Sequence, residues 1–336
     1  MYPDPSTGLF NSASILANQL EDKLHIKTTV AICVDGNSID RQLHIHRPNV
    51  CIIEAIWASA ARLAELRRLH PRIKFLIRVH SELPFLSNEG SALENIGEYE
   101  KLGFIVGVNS KDTYAELKGI YNNIVYMPNV YEDVNISVED FIKYLTNLLQ
   151  YIVDPSGWTK LSRKSLNIGC FGAIRPMKNQ LLQAVSAINY ADKAGVKLYF
   201  HMNGSRVEQK GDSVLKNLIS LFERSKHELV LHRWMPRSEF LELISHMDLG
   251  MQVSMNESFN IVAADFVKMG VPIVVSEAIK WAPEFSQTST IRGKEVQEKI
   301  GQALRYKRMF KRGQTLHLDM YNQQSLKIWR EIFHGH

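Results

Sequence analysis

Residues 256–277 read NESFNIVAADFVKMGVPIVVSE and place an acidic residue, a helix and a buried strand in direct succession. The segment IVAADFVKM has apolar residues at helical spacing, and Gly270 supplies a stop for the helix. The apolar run VPIVVS that follows predicts a strand covered on both faces. A helix that leads directly into such a strand is typical of an α/β fold with a parallel sheet.

The same alternation of strand and helix occurs along both halves of the chain. Predicted strands in the first half are TTVAICVDG, VCIIEAIW, KFLIRVH, GFIVGVNS and NIVYMP; those of the second half are SLNIGCFGA, VKLYFHMNG, ELVLHRWM, DLGMQVS and VPIVVS. Segments such as SILANQLEDKL, ASAARLAELRRLH, NQLLQAVSAINYADKAG and RSEFLELISHM predict the helices between them. The pattern predicts an α/β protein with two doubly wound, Rossmann-like domains that face a central cleft.

Pro155 and Gly157, in the polar stretch VDPSGWTKLSRKS, mark the predicted seam between the domains. We therefore predict an N-terminal domain over residues 1–155 and a C-terminal domain over residues 156–310. Residues 311–336 are expected to form a helix that packs back on the N-terminal domain.

Composition restricts the class of protein. Of the 336 residues, 45% are hydrophobic and 22% are charged, which is ordinary for a globular protein, and no apolar run reaches the ~18 residues of a membrane span. The start MYPDPSTGLF lacks a secretory signal, so we expect a cytoplasmic protein. Cys33, Cys51 and Cys170 lie in apolar contexts that favour buried thiols over disulfides or metal ligands.

The net charge of +5 is concentrated in part in two basic runs, residues 62–80 and 305–313. Such runs attract polyanions, but they more often form solvated helix faces. Both interpretations stay open at the level of sequence.

The turn after DLGMQVS is a candidate anion site. A helix that starts after Ser258, Phe259 and Asn260 presents free backbone N–H groups and the positive end of its dipole, which suits a phosphate or diphosphate. Glu257 beside it can accept hydrogen bonds from the hydroxyls of a sugar attached to that phosphate. Asp265, about two turns further on, can hold another pair of hydroxyls. The alternative roles are a first-turn acid for Glu257 and a solvated helix residue for Asp265.

A second loop, IGCFGAIRPMKNQ, places a turn at Gly172 and two cations, Arg175 and Lys178, ahead of a helix that begins near Asn179. Two cations at a helix start can neutralise the two phosphates of a leaving nucleoside diphosphate. Neither GxGxxG nor GxxxxGK[ST] occurs in the sequence, so the usual dinucleotide and P-loop sites are not indicated.

In the first half, the loop RVHSELPFLSNEG follows a predicted strand directly and is a candidate polar site that would face the other domain across the cleft. Its polar residues are His80, Ser81, Glu82, Asn88 and Glu89. Near the N-terminus, Gly8 precedes a predicted helix and offers a further contact for the donor; the alternative there is a simple helix cap by Asn11 or Ser12.

In these two loops, the second half of the chain resembles the donor domain of GT-B glycosyltransferases, in particular the large retaining, family-4-like group with a Glu-x7-Glu motif. The motif here reads ESFNIVAAD, so Asp265 replaces the second Glu. GVPIVVS and NIVYMPNV are also similar to segments of that group, and RVHSELPFLSNEG is similar to a loop of phage-encoded and bacterial glycosyltransferases. Such enzymes begin with a strand before the glycine loop, whereas this sequence starts at MYPDPSTG, inside that loop.

The resemblance implies a nucleotide-sugar-dependent glycosyltransferase that retains the configuration of the sugar. It implies that the C-terminal domain binds the nucleotide sugar and that the N-terminal domain binds the acceptor, with Ser81, Glu82, Asn88 and Glu89 as its contacts. It implies that Glu257 contacts the donor sugar, that the amides of Ser258, Phe259 and Asn260 hold the diphosphate, and that Asp265 binds the ribose. Arg175 and Lys178 would clamp the diphosphate, and His80 would position the sugar or the acceptor. The sequence has no Asp-x-Asp motif, so we expect no metal and no other cofactor.

Of three possible classes of acceptor, the basic runs and the phage-like loop favour the first, DNA. A hydroxymethylated pyrimidine in duplex DNA would use the two basic runs as phosphate contacts. The alternatives are a cell-surface polysaccharide and a lipid-linked sugar. Two functions without transfer also remain: a non-catalytic nucleotide-sugar-binding module and a nucleotide-sugar epimerase.

Overall fold

The computed structural model describes residues 8–87, 90–134, 136–156 and 164–334. They form two compact units, one running to Glu132 and resuming at Asn322, the other running from Asp133 to Tyr321. Each unit is a parallel sheet with helices, so the predicted α/β class with two Rossmann-like units is confirmed. No helix in these described ranges is both long enough and apolar enough to cross a membrane.

The first unit contains a four-stranded parallel sheet with the order β1-β2-β3-β4. Its strands are β1 (Val50–Glu54), β2 (Lys74–Val79), β3 (Ile105–Val108) and β4 (Ile124–Tyr126). Its helices are α1 (Gly8–Leu24), α2 (Gly36–His46), α3 (Ala60–Leu69), α4 (Leu83–Leu86), α5 (Ala92–Lys101) and α6 (Lys111–Leu117). All four strands point the same way, so the residues that follow them share one edge of the sheet.

One predicted strand of this unit is wrong. The segment TTVAICVDG forms an irregular stretch ahead of α2, with Val30, Ile32 and Val34 40%, 43% and 59% exposed. Its alternating pattern has no neighbouring strand in the sheet order of the described residues, and an unpaired strand is not stable in water. The helix α2 behind it begins instead with a capping box between Asp35 and Ser38.

The second unit contains a six-stranded parallel sheet with the order β10-β9-β8-β5-β6-β7. Its strands are β5 (Ser165–Gly169), β6 (Lys197–Asn203), β7 (Glu228–His232), β8 (Leu249–Gln252), β9 (Ile273–Ser276) and β10 (Gln287–Thr288). Its helices are α7 (Val138–Val153), α8 (Gln180–Ala194), α9 (Gly211–Glu223), α10 (Arg237–Ser245), α11 (Ile261–Lys268) and α12 (Gly293–Arg305). The strand order reverses between β5 and β8, and in open α/β sheets a ligand binds where the order reverses.

Two glycines let α11 pack closely over that reversal. A Cβ on Gly169 of β5 or on Gly250 of β8 would lie 2.8 Å or 2.7 Å from the ring of Phe266. Since real Cβ contacts are longer, no larger residue fits without displacing the ring. Glycines at this pair of positions therefore fix the distance between the sheet and the helix that follows the acidic loop.

The last helix, α13 (Lys307–His334), is shared between the units. Its end belongs to the first unit, where the fully buried Trp329 donates a hydrogen bond of 2.9 Å to the carbonyl of Pro128 and packs against Leu16 and Leu20 of α1. The units divide at 132/133 and 321/322, whereas the sequence placed the boundaries at 155/156 and 310/311. The differences arise because α7 and the first half of α13 pack with the second unit; part of the predicted seam, residues 157–163, lies outside the described residues.

Candidate functional site at the strand reversal of the second unit

The loops that follow β5 and β8 are joined by hydrogen bonds. The side-chain amide of Asn179 donates to the carbonyl of Val253 at 3.1 Å, and the backbone N–H of Met255 donates to the carbonyl of Met177 at 2.9 Å. The side chain of Gln252 donates to the carbonyl of Phe171 at 2.8 Å. The two loops singled out in the sequence therefore form one surface at the carboxyl end of the sheet.

Lys178 and Glu257 meet across these loops. The ammonium group of Lys178 donates to Oε1 of Glu257, and their side chains are 14% and 9% exposed. Lys178 ends a short 3₁₀ helix that starts at Pro176, and Asn179 behind it takes a left-handed conformation with φ 56°. The structure thus brings together a cation and a carboxylate from two predicted site loops.

Arg175 lies in the same loop but has a different carboxylate nearby. Its Nη1 atom is 3.8 Å from Oε2 of Glu208, in the loop after β6. Gly172, with φ 116°, donates its N–H to the side chain of Asn203 at 2.9 Å, so the turn is tied to the end of β6. Glu208 is also paired with Arg206, whose Nε lies 2.5 Å from its Oε1, so this part of the site has three cations and two carboxylates. An incoming anion has to compete with Glu208 and Glu257 for its partners.

The helix start after the acidic loop is confirmed, with α11 beginning at Ile261. Asn260 is the N-cap residue, with φ 63°, and its Oδ1 accepts from the N–H of Ala263 at 2.9 Å. One of the orphan amides at this helix start is therefore already satisfied. Phe259 is buried and its carbonyl accepts from the indole of Trp281 at 2.7 Å, which fixes the backbone between Ser258 and the helix.

Asp265 is buried, at 3% exposure, and is not a solvated helix residue. Its Oδ1 accepts from Nη1 of Arg237, the first residue of α10, at 2.6 Å. A ribose bound by Asp265 would have to share that carboxylate with the guanidinium. The sequence did not predict this ion pair between Asp265 and Arg237.

The first unit has a separate polar cluster at the carboxyl edge of its sheet. His80, which follows β2, donates from Nε2 to Glu54 at the end of β1 and accepts at Nδ1 from Asn109, after β3, at 3.2 Å. This pattern defines the neutral tautomer with the proton on Nε2. Burial lowers the pKa of His80, and the positive charge of Arg78 acts in the same direction against the attraction of Glu54, so the ring is neutral at pH 7.

The buried side chain of Arg78 links this cluster to the loop that follows β4. It is fully buried and donates to the carbonyl of Pro128 at 2.9 Å, to Oδ1 of Asn129 at 2.6 Å and to Oε1 of Glu54 at 3.3 Å. Burial alone would raise the pKa of Glu54, but the charge of Arg78 and the hydrogen bonds from His80 and Arg78 lower it to about 2. Glu54 is therefore ionised over the physiological range.

The other site residues predicted in the first half lie at the starts of helices or outside the described residues. Ser81 lies between His80 and Glu82, which is the N-cap residue of α4 but makes no cap bond with its side chain. Gly8 is the first residue of α1, and Ser12 is not its cap but donates to Asn129 at 2.9 Å. Asn88 and Glu89 lie outside the described residues.

Several cations of the two basic runs are engaged within the fold, whereas others, such as Arg68 and Arg72, are exposed. Arg78, at the end of the first run, cannot contribute to a phosphate-binding face, because its side chain has no exposed area. Arg67 donates to the carbonyl of Leu102 at 2.7 Å and covers the ring of Phe104 at 4.4 Å, while Arg305 is paired with Asp154. These contacts tie the runs to their own units.

All three cysteines are free thiols, as the sequence indicated. Burial raises the pKa of Cys51 and of Cys170 to about 12, so both stay protonated. Cys170 directly follows β5 and packs in the core of the second unit. Neither thiol is an activated nucleophile.

Several residues of these sites were missed in the sequence. Glu54 and Asn109 each stand at the end of a correctly predicted strand, so the rule that identified His80 applies to them as well. Glu208 and Arg237 follow other strands at a greater distance, and only the fold brings them to Arg175 and Asp265.

Comparisons with known proteins rest on structure alone, since no protein-family model and no curated protein sequence matches the chain. The N-terminal domain of a trehalose-6-phosphate phosphatase from Candida albicans is similar, with a TM-score of 0.61 and 13% identity over 89% of this chain and 73% of that one. A UDP-forming α,α-trehalose-phosphate synthase from Burkholderia xenovorans gives a TM-score of 0.61 and 12% identity, over 89% and 76% of the two chains.

A third structure, the trehalose-6-phosphate enzyme of E. coli with bound UDP-2-fluoro glucose, gives a TM-score of 0.55 and 12% identity over 97% of this chain and 83% of that one. These are trehalose-phosphate enzymes, so the finer resemblance to family-4-like enzymes and the phage origin stay predictions. What the likeness shows is the fold: the chain has the GT-B architecture of two Rossmann-like units.

Proposed function

We propose that the protein is a glycosyltransferase that takes its sugar from a nucleoside-diphosphate sugar bound at the strand reversal of the second unit. The observation that carries this proposal is the pairing of Lys178 with Glu257 across the loops that follow β5 and β8. A nucleotide sugar needs a cation for its diphosphate and an acceptor of hydrogen bonds for its sugar hydroxyls, and this pair supplies both side by side.

The pair also suggests how binding proceeds. When a diphosphate arrives, its oxygens replace the carboxylate of Glu257 as partners of the Lys178 ammonium group. Glu257 is then available to the sugar hydroxyls, whose O–H groups donate to it. Arg175, 3.8 Å from Glu208, is the second cation proposed for the diphosphate.

The proposed transfer retains the configuration of the sugar. The bond between the anomeric carbon and the diphosphate oxygen breaks, and the acceptor oxygen bonds to that carbon from the same face. The acceptor proton passes to a diphosphate oxygen, so no protein carboxylate becomes covalently attached. Lys178, Arg175 and the start of α11 stabilise the charge that develops on the leaving group. Since these groups are fixed in the protein, we propose that a divalent ion is not required.

For the acceptor, we propose the hydroxyl of a small sugar phosphate. One of the similar structures is a trehalose-phosphate synthase in complex with glucose-6-phosphate. DNA is the weaker proposal because Arg78 is buried and because Arg67 and Arg305 already have partners within the fold. The neutral His80, held between Glu54 and Asn109, is proposed to orient a sugar hydroxyl.

The first test is a thermal-shift screen with UDP, GDP, ADP and their glucose conjugates, because a ligand that binds the folded state raises Tm by mass action. The nucleotide found is then incubated as its sugar conjugate with sugar phosphates, polysaccharide or hydroxymethylated DNA, with and without a chelator, and the products are identified by mass spectrometry. Transfer to an acceptor supports the proposal.

Two outcomes would contradict it. A nucleotide sugar that binds but stays unchanged with every acceptor indicates a binding module, and isomerisation of the donor without an acceptor indicates an epimerase. Lys178→Ala should abolish binding and transfer, while Lys216→Ala, an exposed lysine on α9, is the matched control.

A further inference from the structure

The first unit contains a second cluster of potential ligands, formed by Asp40, His44 and His70. Asp40 and His44 are four positions apart on α2, so they lie on one face of that helix. His70 is the C-cap residue of α3, and its Nε2 atom lies 2.7 Å from Oδ1 of Asp40. One ligand atom from each of the three residues lies within 4.8 Å of the other two.

The helix packing explains why these side chains converge. Ile39 and Leu43 are buried and fix the rotation of α2 on the core, and each precedes one of the polar residues by a single position. His44 and His70 meet edge to face, with ring centroids 5.4 Å apart and planes at 78°. The Asp40–His70 ion pair accounts for two members of the cluster, and His44 adds a third donor that the ion pair does not need.

Two imidazole nitrogens and a carboxylate oxygen form a donor set that suits Zn²⁺ and related divalent transition metals. Around a tetrahedral zinc with bonds of about 2.0–2.1 Å, donor atoms are roughly 3.3 Å apart. In the structure, Oδ1 of Asp40 and Nε2 of His70 are 2.7 Å apart, which is shorter than this spacing, and all three ligand atoms lie within 4.8 Å of one another. Modest rotations of the side chains would therefore bring the three atoms to the spacing of a tetrahedral site. His44 is exposed and has room for such a rotation, while the His70 side chain is only 10% exposed.

We propose that Asp40, His44 and His70 form a zinc site that links α2 to α3, with a water molecule in the fourth position. The ion takes the place of the hydrogen between His70 and Asp40, and that proton is released to water. The site lies in the first unit and uses none of the residues assigned to sugar transfer, so the proposal is independent of that function.

The experiment uses the full chain without a histidine tag, treated with a chelator and then dialysed. Isothermal titration with ZnCl₂ should show binding of a single ion, and Tm should rise with the Zn²⁺ concentration. Titration with Co²⁺ should give the visible absorption of a tetrahedral complex. Asp40→Asn, His44→Ala and His70→Ala should each weaken Zn²⁺ binding by about tenfold or more, since even residues behind the ligands have effects of that size.

His44→Ala is the decisive variant, because it leaves the Asp40–His70 pair intact and the metal-free protein should keep its Tm. His46→Ala removes an exposed histidine from the same helix and should bind Zn²⁺ like the parent chain. Cys33→Ser serves as a second control against binding by a thiol.

Three results would overturn the proposal. They are the absence of saturable Zn²⁺ binding, an affinity that His44→Ala leaves unchanged, or an equal loss in His44→Ala and in either control. In each case Asp40 and His70 form an ion pair only.

Discussion

Lys178 and Glu257 lie 79 positions apart in the chain and form an ion pair at the point where the strand order of the second sheet reverses. The pair gives each partner a separate, measurable role. Lys178 should govern affinity for the diphosphate, whereas Glu257 should govern the sugar.

The first prediction concerns Glu257→Gln. A nucleoside diphosphate without sugar should bind at least as tightly as to the parent chain, because a negative charge beside Lys178 has been removed. Transfer from the nucleotide sugar should fall about 10- to 100-fold, the loss expected for hydrogen bonds to a charged group worth about 1.5–3 kcal/mol. Calorimetric affinities and initial rates test this. Weaker binding of the bare diphosphate would contradict the assigned roles.

The second prediction concerns the pair of Arg237 and Asp265. Arg237→Ala leaves a carboxylate that is 3% exposed without this guanidinium and should lower the free energy of unfolding by about 3 kcal/mol. Asp265→Asn should cost less, because Asn still offers an oxygen to Arg237. Urea unfolding of both single variants and the double variant gives the coupling energy. Additive effects of the two substitutions would show that the ion pair contributes nothing to stability.

The third prediction concerns Arg78, which is buried under the polar cluster of the first unit. Arg78→Ala should destabilise the protein by about 3–5 kcal/mol, because it leaves Glu54 and the carbonyl of Pro128 with a lost partner. Arg72→Ala, from the same basic run but exposed, should change stability by about 0.5 kcal/mol or less. Tm and urea midpoints provide the comparison. Similar losses in the two variants would argue against the role of Arg78 in the fold.

The fourth prediction concerns pH. Nδ1 of His201 accepts from Nε2 of His232 at 2.9 Å, and Nε2 of His201 donates to Asn167 at 3.1 Å, so His201 is held neutral. Burial, followed by the charge of His232, lowers the pKa of His201 to about 4. The unfolded chain, with a pKa near 6.5, binds more protons in this window, so stability is lost as the pH falls from about 6.5 to about 4.

The full shift corresponds to about 3 kcal/mol, and because the ring is partly exposed and screened by solvent, the contribution of His201 to this loss is on the order of 2 kcal/mol. Urea unfolding at several pH values should show a shallower pH dependence in His201→Gln than in the parent chain, since Gln does not titrate. His46→Gln, an exposed position, is the control. An unchanged slope in His201→Gln would assign the acid sensitivity to other groups.

The loops of the second unit could be predicted because their signals are local. Gly172, the lysine at 178 and the acid at 257 each stand directly beside a strand or helix that hydrophobic spacing identifies. That these two loops lie side by side follows from the rule that loops meet where the strand order reverses, here between β5 and β8; the ion pair of Lys178 with Glu257 was not predicted. Local sequence signals and the topology rule together were sufficient to predict that these two loops lie at one edge of the sheet.

Elsewhere the same rules failed for physical reasons. The run TTVAICVDG has the alternation of a strand, but a strand is stabilised by hydrogen bonds to a neighbour, which no local pattern reports. The helix α2 buries only Ile39 and Leu43, so its apolar periodicity is weak, although the Asp35 cap was a usable signal. Arg237 reaches Asp265 only through the packing of α10 on α11, and no local sequence pattern predicts that contact.

The division of α13 between the two units has a consequence for how the protein is made. The ribosome synthesises residues 322–334 after the whole of the second unit, yet Trp329 completes the core around Leu16 and Leu20. The first unit therefore cannot complete its core until Trp329 has been synthesised and has left the ribosome. A released chain truncated after Tyr321 should resist protease in its later portion while its opening portion is digested more readily than in the full chain.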